Sequence, residues 1–225
     1  MNTGRGRQES FFKACLSIDV TPDMLRHLIA AGADVNAAIQ GGYTPLHAAA
    51  MADWDEDDDG RMRVLLEHRA NPEARADTQG GRQWTPLLLA AAEGHAAQVR
   101  TLVAWGGNVN AQDSDGRTAL MLAVSQLAAP EAKTQTLISA GADPSKKCLA
   151  GKTALDNARE YLATLQSVGS TDIQGVSDDL AASVAHASTD SQHSPPSIDV
   201  NLAAALPHQI AEYQRVVGFL EAHCR

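Results

Sequence analysis

An acidic run, Asp55-Glu56-Asp57-Asp58-Asp59-Gly60, carries the most suggestive chemistry in this 225-residue chain. Its D-x-D-x-D-G pattern opens a calcium loop, in which alternating carboxylates converge on a hard cation and glycine permits the bend. Such a loop needs a bidentate acid at its twelfth position, but Leu66 stands there and Glu67 comes one residue late. Arg61 and Arg63 would also crowd the cation. A solvated acidic loop between helices accounts for the run better, so no metal site is assigned. Gly151-Lys152-Thr153 ends like a phosphate-binding loop, yet Lys146 occupies the place of the required first glycine and no strand precedes it. The eight histidines and three cysteines (Cys15, Cys148, Cys224) are scattered, and neither His-Glu-x-x-His nor Gly-x-Ser-x-Gly occurs. These residues point away from an enzyme. No catalytic residue and no cofactor is assigned.

Composition narrows the class further. Lys plus Arg is 18 against 27 for Asp plus Glu, a formal charge of −9. A general nucleic-acid binder needs a basic face, and Gly4-Arg5-Gly6-Arg7 is too small to be one. No apolar run approaches the ~20 residues that cross a bilayer, and the first residues lack the apolar core of a secretory signal. An odd number of widely spaced cysteines gives no disulfide framework. A soluble, cytoplasmic protein is expected. Apolar residues make up 44% but aromatics only 4%, so the core must form by close approach of helices carrying small side chains.

The elements that do this repeat along the chain. Four segments align: TPLHAAA at 44–50, TPLLLAAAEGH at 85–95, TALMLAV at 118–124 and TALDNAR at 153–159, with threonines 41, 33 and 35 residues apart. A second landmark runs in phase, with Gly32, Arg69, Gly106 and Gly141 spaced 37, 37 and 35. Two landmarks in phase mark a repeat architecture. Threonine is a good N-cap and the following proline suits the first turn, so Thr44-Pro45 and Thr85-Pro86 each open a helix. The alanine pairs Ala49-Ala50 and Ala90-Ala91 form a stripe for close packing. A second helix, with Val64, Leu65 and Leu66 or Val99, Leu102 and Val103, ends on a glycine suited to the left-handed conformation. Gln112-Asp113-Ser114-Asp115-Gly116-Arg117 then makes a tight turn before the next cap.

On these residues, ADVNAAIQGGYTPLHAAA above all, the chain resembles the ankyrin-repeat family over about residues 9–165. The resemblance implies an all-α solenoid of stacked antiparallel helix pairs joined by β-hairpin-like loops. Ser10–Leu16 and Thr21–Ala31 read as a first helix pair, behind a flexible tail at 1–8. His47 keeps the family histidine, whereas Leu88, Met121 and Asp156 replace it, so a cap-bracing hydrogen bond is expected to be lost in three repeats. Arg69 stands where glycine belongs, which costs about 1 kcal/mol if the residue is left-handed. Four residues are inserted between the helices of repeat two, and the loop before Thr85 is four longer than the one before Thr118. Residues 166–206, with eight serines, five aspartates and Pro195-Pro196, read as a flexible insertion. Pro207 is expected to open a capping helix over 207–225, with Ile210, Tyr213, Val217 and Leu220 on its covered face. That helix completes a fifth pair.

The resemblance implies a non-enzymatic protein-binding module, which presents hairpin tips and first helices on one concave surface. That surface collects Tyr43, Met51, Asp53, Trp54, Arg82, Trp84, Glu93, Arg117 and Gln126. Tyr43 and Trp84 precede threonine caps, and with Trp54 they are expected to be exposed anchors of the kind that dominate interfaces. Trp105, at the end of an outer helix, is expected to pack between repeats. The expected partner is another protein, with neither nucleic acid nor membrane, and the free chain is expected to be a monomer. The sharpest functional expectation is a bacterial immunity-type inhibitor that binds a basic toxin. A scaffold or regulatory subunit for a cytoplasmic enzyme is the alternative.

Overall fold

The computed structural model describes residues 3–17, 19–51, 59–77, 81–125, 129–170 and 202–224. Helices begin where the threonines predict. Thr21, Thr85 and Thr118 stand in extended backbone, and each hydroxyl accepts the amide N–H three residues on, at 3.3 Å. The helices are α1 (Thr3–Leu16), α2 (Pro22–Ala30), α3 (Pro45–Met51), α4 (Gly60–Glu67), α5 (Pro86–Glu93), α6 (Ala96–Ala104), α7 (Ala119–Ala123), α8 (Pro130–Ser139), α9 (Ala154–Ser170) and α10 (Leu202–His223).

They form two layers. The inner helices α1, α3, α5, α7 and α9 pack in sequence order, and so do the outer helices α2, α4, α6, α8 and α10. The inner layer touches through small side chains: Ala48, Ala49, Ala50, Ala90, Ala91 and Ala123 have no exposed surface. At Gly94, after α5, a Cβ would lie 2.5 Å from the Ala50 carbonyl oxygen. Only glycine permits that approach. Each outer helix buries one stripe instead, as with Met62, Val64 and Leu65 on α4 or Val99 and Leu102 on α6.

The second landmark is a set of left-handed helix ends. Gly32, Arg69, Gly106 and Gly141 have φ of 93°, 66°, 85° and 87°. At each, two amides fold back onto the last turn, for example Arg69 N–H to the Leu66 carbonyl and Ala70 N–H to that of Leu65, both 2.9 Å. Turns of successive repeats are then clamped together. Asn36 donates to the Arg69 carbonyl (3.0 Å) and accepts from Asn71 N–H (2.8 Å), while Asn110 does the same with the Gly141 carbonyl (3.0 Å) and Asp143 N–H (2.8 Å). Between them Glu73 accepts from Asn108 N–H at 2.8 Å.

Three expectations about the ends need correction. α1 begins at Thr3, inside the segment expected to be a tail. α9 runs on to Ser170, and α10 starts at Leu202 with Pro207 inside it rather than opening it. As the sixth residue of the helix, Pro207 lies in the second turn and has no N–H to give the Ala203 carbonyl. The covered face of α10 is Tyr213, Val216 and Leu220, with Val217 only partly buried. Tyr213 stacks on Tyr161 of α9 (4.8 Å between ring centres), and Arg159–Glu221 (2.6 Å) and Arg215–Glu131 (2.8 Å) tie α10 to α9 and α8. The flexibility expected of 166–206 concerns mainly residues 171–201, which lie outside the described residues. The bracing expected to be lost at Asp156 is present in another form, because its carboxylate accepts Thr153 N–H (2.9 Å) and the Thr153 hydroxyl (2.8 Å).

Arg69 generates a test of this backbone account. A side chain at φ 66° is strained by about 1–2 kcal/mol, and its carbonyl bond to Asn36 needs no side chain. Arg69→Gly should therefore raise unfolding free energy by about 0.5–1 kcal/mol in urea, after glycine's extra chain entropy is deducted. A loss of stability would refute the strain argument.

Candidate functional site

The loops that carry the candidate surface are narrow hairpins held by single rungs. Ala76 and Trp84 exchange two bonds of 2.8 Å, Gln112 bridges Thr118, and Cys148 N–H meets the Lys152 carbonyl at 3.0 Å. Successive hairpins are stitched by backbone: Asp77 N–H to the Gly41 carbonyl (2.5 Å), Ser114 to Arg82 (3.2 Å) and Leu149 to Asp115 (2.9 Å). Arg75 adds a side-chain stitch, donating to the Gln83 (3.0 Å) and Gln112 (3.2 Å) carbonyls, and the Gln112 amide reaches the Lys147 carbonyl at 3.4 Å.

Under the hairpins lies a buried polar network. The Trp84 indole N–H donates to Asp113 at 3.0 Å. The fully buried Asp113 carboxylate also accepts the Asp115 (3.0 Å) and Arg117 (2.8 Å) amides, and its Oδ2 is gripped by the Arg117 guanidinium at 2.9–3.0 Å. That guanidinium lies 5.9 Å from the centre of the indole. The Trp84 carbonyl accepts from His47 Nε2 at 3.1 Å, and His47 Nδ1 accepts the Thr44 amide at 3.2 Å. The Thr44 amide fixes the tautomer, so Nε2 carries the proton. Burial pulls the imidazole pKa down to about 4, partly opposed by the bond to the Trp84 carbonyl.

The residues expected on the surface are distributed unevenly. Glu93 is exposed. Tyr43 is half-buried, its ring edge-on to His47 at 5.8 Å. Burial raises its phenol pKa, and the nearby Glu93 and Asp77 carboxylates raise it further. Met51 packs partly against the core. Arg82 lies 3.5 Å from Asp115, and Arg117 is tied to Asp113 and Asp115. Asp53, Trp54 and Gln126 lie outside the described residues, as do Asp55–Asp58 of the acidic run.

Two tryptophans are exchanged in role. Trp84, expected to be exposed, is 7% exposed, with its indole N–H bonded to Asp113. Trp105, expected to pack between repeats, is 44% exposed beside a groove lined by Asp59, Arg63, Arg100, Thr101, Ala104 and itself. The hairpin stitches and turn clamps escaped sequence reasoning. Their signal was available, since Asn36, Glu73 and Asn110 recur at the 37-residue spacing of the turn glycines.

For a cation the described part of the acidic run offers little. Asp59 Oδ2 accepts from Arg63 (2.7 Å) and from the Thr101 hydroxyl (2.5 Å). Arg61 turns inward to donate to the Ser17 carbonyl. Among the described residues no group of three His, Cys, Asp or Glu could hold a metal ion, and no helix is long and apolar enough to cross a membrane.

A family model for ankyrin repeats (three copies) matches residues 11–113 and 54–148. The chain is 38% identical over 101 residues to glycerophosphocholine phosphodiesterase gde1 of Schizosaccharomyces pombe, covering 45% of this chain and 8% of that one. It is 35% identical over 103 residues to human neurogenic locus notch homolog protein 2 (46% and 4%). It is 33% identical over 111 residues to the chicken nuclear factor NF-kappa-B p105 subunit (49% and 11%). The chain thus spans only a small part of each of these relatives.

Two outcomes follow from the buried network. Trp84→Ala should cost about 3–5 kcal/mol in denaturant unfolding, as for a large core truncation. Trp84→Phe, which loses the indole bond to Asp113 and part of the buried ring volume, should cost about 1–3 kcal/mol. A Trp84→Ala protein as stable as wild type would place the indole in solvent. His47 sets a pH dependence. Above about pH 6.5 the imidazole is neutral in both states. As pH falls from 6.5 towards 4 the unfolded chain takes up a proton that the folded chain refuses, so stability declines by up to about 1.4 kcal/mol per pH unit. The stability difference between wild type and His47→Gln should shrink across that window; a difference independent of pH would contradict it.

Proposed function

Because the chain belongs to the ankyrin-repeat family, we propose that it acts as a bacterial immunity-type inhibitor, neutralising a basic cognate toxin by binding it. Ankyrin repeats are protein–protein interaction modules, and the family generally works by binding rather than by catalysis. The observation that carries the finer reading is the acidic setting of Tyr43. An aromatic ring of large area stands in the field of Glu93 and Asp77, on a chain of charge −9. Aromatic anchors supply binding energy at little rotamer cost, and surrounding acids steer a basic partner and speed encounter.

The proposed face comprises Tyr43, Met51, Arg82, Glu93 and Arg117, together with Asp53, Trp54 and Gln126. Trp84 supports it from beneath and is withdrawn as a contact residue. The protein is proposed to act as a cytoplasmic monomer. One observation favours the alternative, a scaffold or regulatory subunit. In the fission-yeast relative, repeats like these are a small part of a chain named as a phosphodiesterase.

The test is capture of the partner from the native cell with the full chain, followed by titration of the purified partner. Tyr43→Ala should weaken binding by about 2 kcal/mol or more if it is a hot spot. Glu93→Arg should mainly slow association and flatten its salt dependence. A basic toxin whose activity is blocked supports the inhibitor. A metabolic enzyme whose activity is tuned supports the alternative. Unchanged affinity in both variants puts the interface elsewhere.

A further inference from the structure

We propose that the outer edge of the last described hairpin, residues 147–151, docks an extended peptide segment carrying an aliphatic and an acidic side chain, which adds one more strand to the hairpin row. This rests on the protein-binding reading above and names a second contact strip within it.

A tip bond joins each of the three successive hairpin pairs, and a side-chain bond is added in the last two. A tip carbonyl (Gly41, Arg82, Asp115) accepts an amide of the following hairpin (Asp77, Ser114, Leu149). One position further back, a side chain (Arg75, then Gln112) donates to the following carbonyl (Gln112, then Lys147). In the last hairpin Ala150 corresponds to Asp115, and Lys147 corresponds to Gln112 and Arg75. The hairpin is closed internally by Cys148 N–H to the Lys152 carbonyl (3.0 Å) and Gly151 N–H to the Cys148 carbonyl (2.8 Å). Leu149 and Ala150, the two central residues of that turn, form its exposed outer edge. An edge of this kind is a template for an added strand.

Two side-chain features select the occupant. Leu149 is 80% exposed, against 51% for Met24, the next most exposed of the large apolar residues described. Three of the chain's five lysines, Lys146, Lys147 and Lys152, lie within seven residues, although the chain carries −9. Lys146 lies in the field of Asp143, Lys147 in that of Asp156, and Lys152 is held by Glu160 at 2.5 Å. Lys147 is exposed and in register to reach the next strand, so it is the cation an incoming carboxylate meets. In an added strand the ladder would seat a partner amide on the Ala150 carbonyl. Leu149 at the turn and Lys147 just before it are both exposed, which sets an aliphatic residue over Leu149 and an acid towards Lys147.

The probe is a displayed library of random dodecapeptides selected on the full chain. Winning peptides are then synthesised and titrated against wild type, Leu149→Ser, Lys147→Glu and Tyr43→Ala. We expect winners with an aliphatic and an acidic residue close in sequence, and slower amide exchange at 149–151 on binding. Leu149→Ser and Lys147→Glu should each weaken binding tenfold or more at unchanged melting temperature, and Tyr43→Ala should leave it intact. No winners, or winners indifferent to both hairpin variants, would overturn the proposal. Binding lost in Tyr43→Ala but kept in Leu149→Ser would overturn it while leaving the inner surface as the binding face. Peptide binding at the hairpin with no toxin captured would instead count against the inhibitor reading alone.

Discussion

Successive inner helices pack on one another, and the alanines they carry, Ala48–Ala50 on α3, Ala90–Ala92 on α5 and Ala119 and Ala123 on α7, are all buried. With so little side chain between them, these helices must approach closely or leave voids, and voids are costly in a core packed to crystal density. The remaining features hold that spacing. Gly94 removes the Cβ that would strike Ala50. Threonine caps fix where α5, α7 and α9 begin. The left-handed turn after each outer helix returns the chain so that the next hairpin falls in register. No single repeat can bury its own inner helix, so stability is shared between neighbours, as expected of a one-dimensional array.

The polar groups follow the same logic. Lys133 on α8 is fully buried, and its ammonium reaches the Ala91 carbonyl in the last turn of α5 at 3.3 Å. A cation there opposes the negative end of the helix dipole, although burial pulls the lysine pKa down to about 8. Asp113 offsets its own burial with Trp84, Arg117 and two backbone amides. Cys15, by contrast, is buried with its thiol pushed up to about 12, which makes it an inert packing residue. These groups lock one repeat to the next rather than creating a reactive centre.

The repeating part of the fold was legible because its signals are local and recur. A threonine cap, an alanine stripe and a left-handed helix end each depend on a few adjacent residues, and all four copies of the turn residue adopt positive φ, arginine included. What was not legible depends on residues far apart. Trp84 sits at a position that is exposed in many repeats, and only the pairing with Asp113, 29 residues on, draws it inside. Trp105 looked like packing because it ends an outer helix, but it is 44% exposed beside a groove that residues of the α4 and α6 segments line. Pro207 is a helix opener by propensity, yet α10 begins earlier, at Leu202.

The same distinction separates scaffold from surface. His47, Trp84 and Asp113 form one connected buried network, closed from above by the Arg117 guanidinium, and it sets the shape of the hairpins. Side chains that reach outward, such as Tyr43, Glu93 and Leu149, rest on backbone held by that network and by the hairpin stitches. Backbone held in this way would spare any partner meeting it part of the entropic cost of ordering loops on association. Substitutions at the outward positions can therefore retune specificity while the stack keeps its form, whereas substitutions in the network would alter both together.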